Sequence, residues 1–491
     1  MTQQPTTSDG SAIREEALAG RIPIPFQKRL YVKYSEFLLT CTTLGAASYA
    51  YLVGTSLAAI GCTWIGLLGY MLGLIIGSAI SAFAAGSVSY RLGVDPVDAC
   101  KPAFGSRGSV LVLLGVMITC VGWANVLLAM TANGIVELLP HGTSLPGELS
   151  NSSVAGAGLV LIVLIWVLLR RGARMMEKAA SYGAMIQIAV AVIFLGVTIH
   201  KYGLVAPLMS NVDPAKAYTS NHLLQIAFAV EFGLGNGLGL FPFIGGFVRL
   251  VKHKRHMIGP PVWGYAVFGC TLVTGAGTLA SMATGQTDLV AIFQQVCGRT
   301  LGNVLLVTIM ITNLGTMVAQ FYIVGVGAQQ LSAFARRPWQ VVAAIVLLPS
   351  IVVVFNTPWI FGHVMTLLAY NSVLFVGPTG VVFVDYFILR RQRVQASHLF
   401  AKPRQGDYWF LGGVNWIAVA VIVMTIALYI WLFDPLSLKV SEPFRFAGAS
   451  IPSLLFAGAS YYVLMKLLVV GRGLGGYRPT GHAPADVEVS L

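Results

Sequence analysis

Runs of about twenty uninterrupted apolar residues recur along this chain, and they restrict its fold more than any other feature. A helix rises about 1.5 Å per residue, so about 20 residues cross the hydrocarbon of a bilayer. Twelve such runs are read at 36–60, 63–86, 109–137, 154–169, 180–199, 223–248, 261–283, 301–330, 339–355, 358–388, 413–433 and 447–470. Stretches such as VAGAGLVLIVLIWVLL (154–169) lack the alternation of barrel strands. In lipid only helices or a closed barrel leave no backbone group unpaired. The expected fold class is an all-α polytopic membrane protein with twelve transmembrane helices.

Composition supports that class. Of 491 residues, 56% are hydrophobic and 10% are charged, whereas a soluble domain has about 25% charged residues. This excludes a soluble enzyme. The net charge of +13 needs no nucleic acid to explain it. With twelve spans, 26 of the 31 Lys and Arg residues fall on the side of the two termini and 5 on the other. Cations concentrate on the cytoplasmic side, so both termini are expected in the cytoplasm, with the chain multi-pass in the cell (inner) membrane. The six cysteines (41, 62, 100, 120, 270, 297) form no C-x-x-C pair and read as small buried hydrophobes. The polar N-terminal stretch has no signal-peptide core. The tails, 1–30 and 472–491, are expected to be disordered and without function.

Two runs carry local interruptions. The first contains Thr40, Thr42 and Thr43, then Gly45-Ala46-Ala47-Ser48 halfway across. The sixth reads Glu231-Phe-Gly-Leu-Gly-Asn-Gly-Leu-Gly-Leu-Phe-Pro242, with glycines at 233, 235, 237 and 239. Each Gly weakens a helix by about 1 kcal/mol and Pro by about 3 kcal/mol. Glycines that pack helices recur every fourth residue; these alternate, which predicts a break. Two broken helices five spans apart are what inverted five-helix repeats produce, each opening with a discontinuous helix at the binding site. The organisation expected is a 5+5 inverted repeat with broken helices 1 and 6, plus two C-terminal helices. Its boundaries are a tail (1–30), a first repeat (31–200), a second repeat (221–390), helices 11 and 12 (411–471) and a tail (472–491).

Several segments resemble one family. FGSRGS (104–109), GPTGVVFVDYFILRRQR (377–393) and GVNW (413–416) are similar to elements of the nucleobase–cation symport family of cytosine, purine, uracil, thiamine, allantoin and hydantoin permeases. CVGW (120–123) and FVR (247–249) look most like the bacterial cytosine permeases. The resemblance covers roughly residues 30–470. It implies the same 5+5 architecture. It also implies that Trp123 stacks on a flat substrate ring, as an aromatic face in a dry pocket can. Leu127 replaces a substrate-binding Gln of relatives, and Asn125 lies nearby as a further candidate. Gly237 stands where relatives have an aromatic ring, so a second stacking wall is missing or comes from Phe241. Asn236 offers an amide for a lactam or aminopyrimidine edge. Ser48 at the first break, with Gln320 and Asn313 in the eighth run, completes the polar candidates.

For a coupling cation, the resemblance implies carbonyls of Leu44, Ala47 and Thr312 with the hydroxyl of Thr316. Gly315 stands where sodium-coupled relatives have a second hydroxyl, so the ion is left as H+ or Na+. Glu231 is the one acidic residue deep in a run. A carboxylate at membrane depth costs about 2.5–3.5 kcal/mol and marks a pathway or relay, which makes Glu231 the proton-coupling candidate; His363 is a weaker one. Asp385 with Arg390-Arg391 reads as structural, at a helix end facing anionic lipid.

The expected function is import of a small planar N-heterocycle by symport, with no cofactor other than the ion. A cytosine-like pyrimidine heads the candidates, which include purines, hydantoin and allantoin. Partners are the substrate and the bilayer; the sequence does not define an oligomer. The competing readings are a multispan membrane enzyme or a channel. An enzyme needs a polar catalytic cluster, and His253 and His256 sit among Lys and Arg with no carboxylate nearby. A channel needs a repeated filter, and none is evident.

Overall fold

The computed structural model describes residues 23–139, 147–170, 173–212, 217–331, 333–402, 404–472 and 474–477. The main helices are α1 (Tyr34–Ala46), α2 (Tyr49–Leu57), α3 (Thr63–Leu92), α4 (Pro96–Phe104), α5 (Val110–Leu138), α6 (Gly147–Leu169), α7 (Ala173–Tyr202), α8 (His222–Leu238) and α9 (Phe241–Val248). They continue with α10 (Leu272–Thr284), α11 (Leu289–Ala328), α12 (Trp339–Val354), α13 (Val364–Phe383), α14 (Trp416–Leu432) and α15 (Ser450–Leu468). A π-helix, Pro261–Thr271, leads into α10.

Each expected run falls on a helix. Among the described residues, nine helices are long and apolar enough to cross a membrane, and α1 with α2 adds a tenth as a bent pair. The other two runs are α12 and α14, apolar helices of 16 and 17 residues, shorter than the roughly 20 that cross hydrocarbon.

The first break is where the sequence puts it. Ala47 adopts an extended conformation (φ −63°, ψ 159°), and α1 and α2 meet at 54°. The backbone groups freed there find side chains instead of water. Tyr49 Oη donates to the Leu44 carbonyl at 2.6 Å, and the Ser48 N–H donates to Asn313 Oδ1 at 3.3 Å.

The sixth run corrects the expectation. It forms one 27-residue span, His222–Val248, in which only Gly239 and Leu240 interrupt the helix, and both keep near-helical angles. The alternating glycines are two interleaved every-fourth-residue stripes. A Cβ on Gly233 would meet the Tyr70 carbonyl at 2.1 Å, and one on Gly237 would meet Ser78 N at 2.6 Å, so this pair faces α3. A Cβ on Gly235 would meet the Leu368 carbonyl at 2.9 Å, and one on Gly239 would meet Asn371 Nδ2 at 2.6 Å, so that pair faces α13. Residues two apart on a helix lie on nearly opposite sides. Alternation therefore appears wherever one helix packs closely on two neighbours.

The connections sort to two poles. At one pole Ile24 N–H donates to the Gly93 carbonyl (2.9 Å), Tyr31 N–H to Leu250 (2.9 Å) and Arg107 N–H to Gly413 (2.8 Å). At the other, Thr63 N–H donates to Ser210 (3.2 Å) and Val212 N–H to Gly61 (2.9 Å).

The inner parts of both tails are built into the first pole, against expectation. Arg29 is 7% exposed, donates to the Val251 and Tyr90 carbonyls and lies over the Phe26 and Tyr90 rings. Burial lowers its pKa to about 10. Tyr477 donates to Asp385, and its ring lies 4.0 Å below the Arg390 guanidinium. Arg390 pairs with Asp385 at 2.7 Å, both buried, so this pair packs inside protein and does not face lipid headgroups. Residues 1–22 and 478–491 of the expected tails lie outside the described residues.

Candidate functional site

The break between α1 and α2 opens onto a cleft lined by Leu44, Tyr49, Trp123, Asn236, Gly239, Phe243, Tyr265, Gln320 and Asn371. These residues come from both halves of the chain. No lining side chain is charged, so the cleft suits a neutral guest. It holds about 280 Å³ of atom-free space, but its centre has room for little more than a water molecule. Two of its lining rings, Tyr49 and Trp123, stand with centroids 4.8 Å apart.

The polar groups divide into those already paired and those free. Asn236 is engaged: Nδ2 donates to Tyr70 Oη at 2.5 Å, and Oδ1 accepts from Tyr265 Oη at 2.7 Å. It holds α8 to α3 and to the π-helix. Gln320 is 3% exposed, and its Oε1 has no protein partner. Asn371, also buried, has an unpartnered Nδ2. Among buried groups, an unpaired acceptor or donor costs about 1–3 kcal/mol, so a lined cleft with one of each is prepared for a ligand that supplies both partners.

Of the expected substrate residues, the structure brings Trp123, Asn236 and Gln320 to the cleft. Ser48 stands at the break, where its Oγ accepts from Asn313 Nδ2 at 2.8 Å. Asn125 is buried on α5 with Oδ1 unpartnered and is not a lining residue. Gly237 packs against α3. Phe241 stacks on Phe375, centroids 5.4 Å apart, and Phe243, one half-turn on, takes the place at the cleft. Tyr49, Tyr265, Phe243 and Asn371 were not foreseen, and Gly239 was foreseen only as one of the four glycines of the expected break. Tyr49 also carried a signal, as the aromatic residue next to Ser48 at the break.

The oxygens expected to hold a cation mostly take part in one hydrogen bond each, which leaves a lone pair on each. The Leu44 carbonyl accepts from Tyr49 and the Ala47 carbonyl from Ala50 N–H at 2.9 Å; Thr312, expected to offer its carbonyl, lies inside α11, and its Oγ1 donates to the Ile309 carbonyl at 2.8 Å. Gly315 is buried and brings no side-chain oxygen. Only Thr316 Oγ1 is without a partner. Asn313 instead reaches the break from α11, and its Nδ2 donates to Ser48 and to Thr131 Oγ1 at 3.2 Å. A hard cation needs several converging oxygens; an N–H donor converges here.

Glu231 lies away from the cleft. It accepts from Tyr429 Oη (2.8 Å), Ala449 N–H (2.8 Å), Ser450 N–H (3.1 Å) and Ser450 Oγ (2.5 Å). It therefore caps the N-terminus of α15, where a carboxylate meets free N–H groups and the positive end of the helix dipole. His363 is held by the Trp359 carbonyl at 2.8 Å. No group of three or more His, Cys, Asp or Glu able to hold a metal occurs among the described residues.

A multispan helical protein with a neutral, aromatic-walled cleft at a helix break belongs with membrane carriers of small solutes. The family model for permeases of cytosine/purines, uracil, thiamine and allantoin matches residues 38–447, and the chain belongs to that family, one of transporters and not of enzymes. The hydantoin permease of Microbacterium maritypicum is 31% identical over 83 residues, 17% of this chain and 17% of that protein. The purine-uracil permease NCS1 of Arabidopsis thaliana is 24% identical over 295 residues, 56% of this chain and 42% of that protein. The chain thus spans less than half the length of either curated relative. Among solved structures, the inward-facing conformation of Mhp1 has a TM-score of 0.72 at 16% identity, covering 91% of this chain and 93% of that one. Mhp1, a nucleobase-cation-symport-1 family transporter, in a closed conformation with bromovinylhydantoin bound, also has a TM-score of 0.72 at 16% identity, covering 91% and 96%. A Na+-coupled sialic acid symporter has a TM-score of 0.60 at 12% identity, covering 93% and 92%. The likeness defines the fold.

Proposed function

We propose that this protein is a secondary active transporter that imports a small planar N-heterocycle, a nucleobase or a related ring such as cytosine, a purine, allantoin or hydantoin, by symport with a cation. The observation that carries this reading is the uncharged cleft at the α1–α2 break, with the Trp123 face on one side and the free Gln320 amide oxygen on it. A flat, neutral, polar ring satisfies both. Alternating access follows if the two expected five-helix repeats rock about the break. In this reading the protein sits in the cell membrane with both termini in the cytoplasm, and its only cofactor is the coupling ion.

A proton is put ahead of sodium because Gly315 brings no side-chain oxygen beside Thr316. Glu231 is the proposed proton-coupling group: taking up a proton would remove an acceptor from the cap of α15, which ties protonation to the seating of that helix.

The test is uptake of labelled uracil, cytosine, hypoxanthine, hydantoin and allantoin into proteoliposomes, with a pH gradient, a sodium gradient or neither. The reading expects saturable uptake of at least one ring, driven by the pH gradient and lost in Glu231→Gln. Gradient-independent flux would favour a channel. Carriage of no ring would refute the reading, and sodium-driven uptake would refute the choice of ion.

A further inference from the structure

Asn371 lies midway along α13, a helix from which the sequence suggested no ligand. It is 1% exposed. Its Oδ1 accepts from Thr119 Oγ1 on α5 at 3.2 Å. Nδ2 has no protein partner, and the residue lines the cleft. A buried amide N–H is seldom left without an acceptor.

Gly239 gives the amide its room. A Cβ at 239 would lie 2.6 Å from Asn371 Nδ2 and 2.8 Å from its Cγ. Any larger residue at 239 would push the amide out of place. Gly239 is also one of the two residues that interrupt the helix between α8 and α9. The slight break in the sixth span thus serves the cleft by making space for a side chain of the tenth, rather than by exposing backbone. From α11, Gln320 presents the complementary group, an unpartnered Oε1.

We propose that Asn371 is a specificity-determining residue: its Nδ2 donates to a carbonyl of the substrate while Gln320 Oε1 accepts from a ring N–H, so that the preferred substrates are cyclic amides or ureides carrying both groups. This deepens the transporter reading above and rests on it. Uracil, hydantoin and hypoxanthine carry both groups. 1,3-Dimethyluracil keeps its carbonyls and has no N–H, so it leaves Gln320 unpaired. A site built to hydrogen-bond a ligand rejects one that lacks the partner.

The experiment is ligand binding to the purified full-length protein in detergent, by calorimetry and thermal shift, with uracil and 1,3-dimethyluracil as probes. Wild type is expected to bind uracil at least about tenfold more tightly than the dimethyl compound, the ratio that one well-placed buried hydrogen bond supports. Asn371→Leu should weaken uracil binding about tenfold; in the ligand-free protein it removes the orphaned N–H and the Thr119 bond together, so affinity and not melting temperature is the deciding readout. Gly239→Ala should weaken uracil binding in the same way, and Asn371→Ala carries the same expectation if leucine overpacks. Uracil affinity within twofold of wild type in Asn371→Leu or Asn371→Ala would overturn the proposal. So would a fall in ligand-free melting temperature at unchanged affinity, which would make Asn371 a structural partner of Thr119. Equal binding of uracil and 1,3-dimethyluracil would overturn it too. Wild type binding no heterocycle at all would instead refute the transporter reading, and this inference with it.

Discussion

Replacing Gly233 with alanine puts the packing of the sixth span to the test. A Cβ there would sit 2.1 Å from the Tyr70 carbonyl oxygen and 2.8 Å from Leu74 N, both backbone atoms of α3. Ordinary contact begins near 3.4 Å, so α8 must retreat from α3 by about 1 Å. A gap of that size forfeits about a quarter to a half of each neighbouring dispersion contact. The contact between α8 and α3 is the most extensive helix pair among the described residues, so the loss spreads along both helices. Overpacking costs about 1–3 kcal/mol. Alanine returns about 1 kcal/mol through helix propensity. The steric loss is placed at the upper end of its range because rigid backbone, not a movable side chain, stands in the way. The net expectation is destabilisation of about 2 kcal/mol, with Gly237→Ala similar or slightly milder at 2.6 Å from Ser78 N. Gly156 and Gly196 supply the control: both are exposed helical glycines with nothing within 4 Å of a built Cβ. Alanine at either should stabilise by about 0.5–1 kcal/mol. The assay is detergent-solubilised melting followed by size-exclusion chromatography, with all four variants in parallel. Opposite signs for the two pairs are expected. A stabilised or unchanged Gly233→Ala would refute the interleaved-stripe account and restore an unwound segment.

Other perturbations follow from the poles and the last helices. Asp385→Asn removes the carboxylate paired with the buried Arg390, so it should destabilise by about 3–5 kcal/mol, read as a loss of folded yield and melting temperature. Glu231→Gln places an amide where four donors converge and should destabilise by about 2 kcal/mol whether or not a pH gradient is applied; unchanged melting would contradict the capping role. Burial, reinforced by Asp95 and opposed by Lys101 at 2.5 Å, holds the Asp98 carboxyl well above the usual carboxylate range. A raised carboxyl binds its proton more tightly folded than unfolded, so stability should fall as pH rises from about 4 through the folded value. Asp98→Asn should flatten that part of the melting-temperature profile, and parallel profiles would count against it. Arg29→Ala should lower the melting temperature, because it removes the clasp between the N-terminal segment and the ends of α3 and α9.

Apolar run length located every spanning helix because it is a local property that lipid enforces. The first break was legible from Gly45 and Ser48, which favour a helix less than alanine or leucine, and Ala47 between them does leave it. The sixth span was misread because alternating glycines have two physical origins, and only the identity of the neighbours α3 and α13 separates them. Trp123, Asn236 and Gln320 reached the cleft as expected, yet the role of Asn236 was hidden. Its amide is consumed by Tyr70 and Tyr265, distant in sequence. Asn371 gave no signal, since a lone Asn in an apolar run reads equally as a helix contact. The inner tail residues were missed because Arg29 and Tyr477 are polar in sequence but gain aromatic and ionic partners only once the pole assembles.

The central claim is that the neutral cleft at the α1–α2 break receives a flat ring against Trp123. Tyr49 and Trp123 now lie 4.8 Å apart, too close to admit a third ring between them. The most direct measurement is a structure of the full-length protein with the strongest heterocycle from the binding screen. The account predicts the ring stacked on Trp123 and the Tyr49–Trp123 separation opened to about 7 Å, the distance that an interposed aromatic layer requires. A ring bound elsewhere, with Trp123 and Tyr49 still in contact, would contradict it.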